Sequence, residues 1–157
     1  MYKLFLLFAV IGLFSSCKKD KYTTVPQIEF KDIKPQDFAS NLNILYRDQA
    51  PQLIIGITDA EGDLGIIAGE DTSRVYLKNL NSNNIDSMDF PDLKSYAKKN
   101  FKADVSINLY DALECKPGNS PARPRTDSIY YEVYVKDFAG NKSNVIKTGK
   151  PVLYRCL

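Results

Sequence analysis

From Pro26 to the C-terminus, apolar and polar side chains alternate in short runs of period two. Ile28 and Phe30 interleave with Gln27, Glu29 and Lys31, and Leu53, Ile55 and Ile57 repeat the pattern. Val75 and Leu77 alternate with Arg74, Tyr76 and Lys78, while Val105, Ile107 and Leu109 alternate with Ser106, Asn108 and Tyr110. Ile129, Tyr131, Val133 and Val135 form the clearest run. Successive side chains of a strand point to opposite faces, so each run predicts a half-buried strand. A weaker strand is expected over residues 85–90. A last strand or pair of strands runs through Val145, Ile146, Val152 and Tyr154, interrupted at residues 148–151 by Thr-Gly-Lys-Pro.

Helical spacing is confined to residues 91–100, where Asp92, Leu93, Tyr96 and Ala97 suit a turn or two, too short for a scaffold. Residues 111–126 hold three prolines and little that is apolar after Leu113, which predicts an exposed loop. Short strands separated by Asn, Gly, Pro and Ser clusters predict an all-β fold, an immunoglobulin-like antiparallel β-sandwich of about seven strands.

The N-terminus follows a different pattern. After Lys3, residues 4–14 are apolar, then come Ser15, Ser16 and Cys17, then Lys18-Lys19-Asp20-Lys21. A helix of residues 4–14 would rise only about 16 Å, roughly half the hydrocarbon thickness of a bilayer. The stretch therefore reads as a signal peptide rather than a permanent span.

Leu13-Phe14-Ser15-Ser16-Cys17 resembles the lipobox of bacterial lipoproteins, in which a leucine and small residues precede a lipidated cysteine. The resemblance implies cleavage before Cys17 and acyl chains on that residue. Two or more such chains suffice for stable membrane anchoring. The expected organisation is a signal peptide over residues 1–16, a lipidated cysteine with a polar tether over 17–25, and one domain over 26–157.

Composition narrows the chemistry. With 21 Lys and Arg against 19 Asp and Glu, the chain has a net charge of +2, and the signal peptide holds one of the bases, so charge gives no case for a nucleic-acid partner. There is no His, which removes the commonest general base, the Ser-His and Cys-His nucleophile pairs and His-containing zinc sites. Beyond the anchor, Cys115 and Cys156 are expected to form a disulfide in an exported domain, with two free thiols as the other reading. The bond would close a loop of about 40 residues and stabilise by about 4 kcal/mol on the chain-entropy account.

Two segments concentrate polar chemistry. Asp59-Ala60-Glu61-Gly62-Asp63-Leu64-Gly65 follows the second strand and sets three carboxylates at alternate positions among glycines. Such a density of oxygen ligands suits a hard cation such as calcium. It echoes the start of an EF-hand loop, but no helices are expected to flank it. Asp137-Phe138-Ala139-Gly140-Asn141-Lys142-Ser143 resembles the turn that closes the last hairpin of many bacterial extracellular immunoglobulin-like domains. Turn chemistry alone explains its residues, because Gly140 and Asn141 tolerate positive φ and Asp137 can accept turn amides.

In an immunoglobulin topology the two segments become loops at one pole of the sandwich. Asp59, Glu61, Asp63, Asp137 and Asn141 then converge, either as solvated turns or as a site for calcium or a basic partner. On another surface, Tyr130 and Tyr134 interleave with Glu132 and Lys136 and offer either a platform for a sugar or peptide or the amphipathic outer face of a sheet.

Together the lipobox and the two segments make the chain similar to small lipoproteins of the Bacteroidetes, a group that implies no defined activity. The resemblance implies lipid attachment to the outer membrane, and the single acid among Lys18-Lys19-Asp20-Lys21 leaves both the periplasmic face and the cell surface open. The expected function is a non-catalytic binding or structural module of the cell envelope, with the membrane through its anchor and an envelope protein or glycan as partners. The alternative is a carboxylate-dependent glycan hydrolase or a glycan-binding accessory protein, the hydrolase needing two acids about 5–10 Å apart in a cleft.

Overall fold

Alternation in the sequence becomes alternation in burial. In the computed structural model, which describes residues 22–36, 47–66, 72–93, 99–113 and 125–156, nine strands are present. These are β1 (Gln27–Lys34), β2 (Gln52–Asp59), β3 (Arg74–Asn79), β4 (Ile85–Asp89), β5 (Phe101–Asn108), β6 (Arg125–Ile129), β7 (Tyr131–Lys136), β8 (Ile146–Lys147) and β9 (Val152–Cys156). Arg47–Gln49 forms a 3-10 turn that the sequence did not signal. Among the described residues no helix is long and apolar enough to cross a membrane.

The strands pair antiparallel in three groups, in the orders β1-β2-β5, β4-β3-β7-β8 and β6-β9. Ile28, Leu53, Ile55, Ile57, Val105 and Ile107 of the first group and Val75, Leu77, Val133 and Val135 of the second are buried in one core, as a β-sandwich requires. Their sequence neighbours Tyr76, Lys78, Glu132 and Tyr134 remain partly exposed.

The count exceeds the seven strands expected, because periodicity reports burial and not partners. The run from Arg125 to Lys136 changes partner at Tyr130: β6 pairs with β9, and β7 pairs with β3. The interrupted C-terminal segment likewise divides into β8 beside β7 and β9 beside β6. The loop expected over residues 111–126 ends early, since β6 begins at Arg125. Its Arg-Thr-Asp-Ser start lacks apolar alternation and is placed by pairing with β9. In β1 a bulge between Phe30 and Asp32 shifts the parity by one, so Ile33 joins Ile28 in the core.

Residues 91–93 and 99–100 are not helical, and the centre of the expected helical segment lies outside the described residues. So do the expected signal peptide, Cys17, Cys115 and with it the expected disulfide. Cys156 ends β9 opposite Arg125. The chain is tied to the sandwich ahead of Pro26, because the Ala60 amide donates to the Thr23 carbonyl at 2.9 Å.

Candidate functional site

The loop leaving β2 and the turn leaving β7 meet at one end of the sandwich. Phe138 N–H donates to the carbonyl oxygen of Asp63 at 3.1 Å, a direct backbone link between them.

Each loop is organised by the aspartate that opens it. Asp59 Oδ1 accepts the amides of Glu61 at 2.7 Å and Gly62 at 2.5 Å, which folds the chain back directly after β2. Gly62 holds the turn with φ of 70°, a region costly for residues with a Cβ. Asp137 does the same after β7: its Oδ1 accepts the Asn141 amide at 2.7 Å and its Oδ2 accepts Asn141 Nδ2 at 3.0 Å.

This arrangement gathers Asp59, Asp63 and Asp137, which each offer a carboxylate oxygen within 4.8 Å of the others. Asp59 is fully buried at 0 % exposure and Asp137 nearly so at 4 %, while Asp63 is half-buried. Asp59 Oδ2 and Asp63 Oδ1 are buried and have no hydrogen-bond partner among the described residues. Burial raises the Asp59 pKa above its ordinary value; the Gly62 and Glu61 amides oppose the rise, and the charges of Asp63 and Asp137 add to it.

The other two expected ligands, Glu61 and Asn141, lie on the same two loops. The Glu61 side chain is exposed, and its contribution is the amide given to Asp59. Asn141 spends its side-chain amide on Asp137.

Two polar anchors escaped sequence reasoning. Asn144 accepts the Ile28 amide at 2.7 Å and donates to the Ile28 carbonyl at 2.9 Å, so one side chain imitates a strand partner and fastens the β7–β8 connection to β1. The Ser73 hydroxyl accepts the Gly65 amide at 2.8 Å and donates to the Gly65 carbonyl at 3.0 Å, closing the far side of the acidic loop. Neither follows a period; the only signal was polar residues of turn type beside expected strand ends.

An open groove is bordered by Arg47, Arg74, Asp89, Asn108 and Asp111. Its two acids are paired, Asp111 with Arg47 at 2.6 Å and Asp89 with Arg74 at 3.5 Å. On the tyrosine face the rings contact one another and nearby lysines. Tyr134 and Tyr76 stack at 4.6 Å and 7°, Lys142 lies 4.0 Å over Tyr134, and Lys147 lies 4.9 Å over Tyr130. Tyr130 remains exposed, and Tyr76 and Tyr134 are half-buried.

The chain matches no protein-family model, no curated protein and no solved structure.

Proposed function

We propose that the chain is a lipid-anchored, non-catalytic module of the bacterial outer membrane, of the kind found among small Bacteroidetes lipoproteins, and that its sandwich binds or braces a partner in the envelope. The N-terminal pattern ending at Cys17 supports the anchor and the address. One observation carries the non-catalytic part: the acids bordering the groove, Asp89 and Asp111, are each held by an arginine. A hydrolase of the carboxylate type needs one acid protonated and its partner ionised and free to act. Each of these acids is instead engaged by a guanidinium group, Asp111 by Arg47 and Asp89 by Arg74, and so is not free to act. The buried triad is no better suited, because Asp59 is wholly buried and its Oδ1 is held by the amides of its own turn.

The test is expression of the full chain with its own signal sequence. The wild type is expected in the outer-membrane fraction and in the detergent phase on partitioning, and Cys17→Ser is expected to lose both. Recovery of the wild type in the aqueous phase contradicts the anchor. Turnover of a glycan panel that disappears in Asp111→Asn contradicts the non-catalytic reading.

A further inference from the structure

We propose that Asp59, Asp63 and Asp137 bind a calcium ion that ties the loop after β2 to the turn after β7, a site that does not depend on the lipid anchor. Three observations lead there. The first is distance: calcium holds oxygens at about 2.3–2.6 Å, so two ligands of one ion lie at most about 5 Å apart. The three carboxylates meet that limit with oxygens within 4.8 Å of one another.

The second is the unfilled valence of Asp59. Its side chain belongs to the cluster and is wholly buried, Oδ1 is satisfied by two amides, and Oδ2 is buried with no donor among the described residues. A buried ionised oxygen without a partner is strongly unfavourable unless a cation or a proton meets it. Asp63 Oδ1 is orphaned in the same cluster. Among the described residues none of the three acids is in an ion pair. The missing positive charge is therefore not supplied by a side chain.

The third is preorganisation. Backbone amides fix Asp59, and Asn141 fixes Asp137 through both of its carboxylate oxygens. The Phe138 to Asp63 backbone bond sets the spacing between the loops. The ligands are held before the ion arrives, which lowers the ordering cost of binding.

The donors are all oxygen, which selects a hard cation over zinc or copper. Calcium fits better than magnesium, whose shell is only about 4.0–4.2 Å across and demands near-ideal octahedral geometry. With three protein carboxylates and water for the rest of the sphere, the affinity belongs with that of extracellular modules, a Kd of about 0.1–1 mM.

The experiment is calorimetric titration of calcium chloride into the full chain in mild detergent, after chelator treatment and dialysis, with thermal melts alongside. Wild type is expected to bind one calcium, at least tenfold more tightly than magnesium, and to melt about 5 °C higher in 10 mM calcium. Asp59→Asn keeps an oxygen for the Glu61 and Gly62 amides, so it is expected to fold and to lose at least tenfold in affinity. Glu61→Gln is expected to bind as wild type does. No heat and no melting shift in the wild type at 10 mM calcium overturns the proposal. So does binding that survives in a folded Asp59→Asn variant, or binding abolished by Glu61→Gln but kept by Asp59→Asn.

Discussion

Asn144 and Ile28 are joined by two hydrogen bonds, 2.7 Å from the Ile28 amide and 2.9 Å from the Asn144 side-chain amide to the Ile28 carbonyl. They are far apart in sequence, and the pair connects the β7–β8 segment to β1 across the end of the sandwich that carries the acidic triad. The site thus rests on two loops and on a lateral brace to a third element.

Removal of that brace is expected to destabilise the fold. Asn144→Ala leaves the Ile28 amide and carbonyl without these partners, at a cost of about 1–3 kcal/mol. Chemical denaturation of the variant beside the wild type measures the loss, and Asn144→Asp should restore only the half of the brace that accepts the amide. An unchanged midpoint in Asn144→Ala would show that water replaces both bonds without loss.

The turn after β7 depends on Gly140, whose φ is 82°. A Cβ there meets nothing within 4 Å, so a substitution suffers from backbone conformation alone. Gly140→Ala is expected to cost about 1–2 kcal/mol, and Gly140→Asn less, because Asn tolerates the left-handed region. Equal midpoints for the two variants in denaturant would contradict this ordering.

These two positions show what the sequence discloses and what it hides. The Gly-Asn turn was legible because positive φ restricts residue choice, and the strands were legible because burial alternates along Tyr131–Lys136 and its equivalents. Asn144 was not legible, since a side chain that pairs with a distant backbone leaves no local period. The partner change at Tyr130 stayed hidden for the same reason, as both halves of that run bury alternate residues. In the site, spacing identified Asp59 and Asp63, and the turn motif identified Asp137. That Asp59, Asp63 and Asp137 are the acids that meet needed coordinates, because spacing alone does not tell which side chains turn towards one another and which, like that of Glu61, stay exposed.

The raised pKa of Asp59 has a pH signature in the calcium-free protein. A carboxyl group whose folded pKa lies above its unfolded one gives stability fully present below the unfolded value, near 3.8 here, and lost as pH rises through the folded value. Asp59→Asn is therefore expected to be the more stable protein at pH 7 in chelator, with an advantage that shrinks towards zero as the pH falls below 3.8. Melting curves of the two proteins from pH 3.5 to pH 7 test this. A constant difference across that range would mean that Asp59 does not titrate with folding.

The central structural claim is that acids from two separate loops act as one unit, and a double-mutant cycle on Asp63 and Asp137 tests it most directly. The quantity measured is unfolding free energy for wild type, Asp63→Asn, Asp137→Asn and the double variant, in chelator and again in 10 mM calcium. With calcium, either single change is expected to remove most of the ion's stabilisation and the second to add little, so the pair departs from additivity by about 1 kcal/mol or more. In chelator that coupling is expected to change sign, since the two carboxylates then repel each other and neutralising one relieves both. Additive effects that do not change when calcium is supplied would contradict the account, and would leave the two loops as neighbours that share an end of the sandwich without sharing a site.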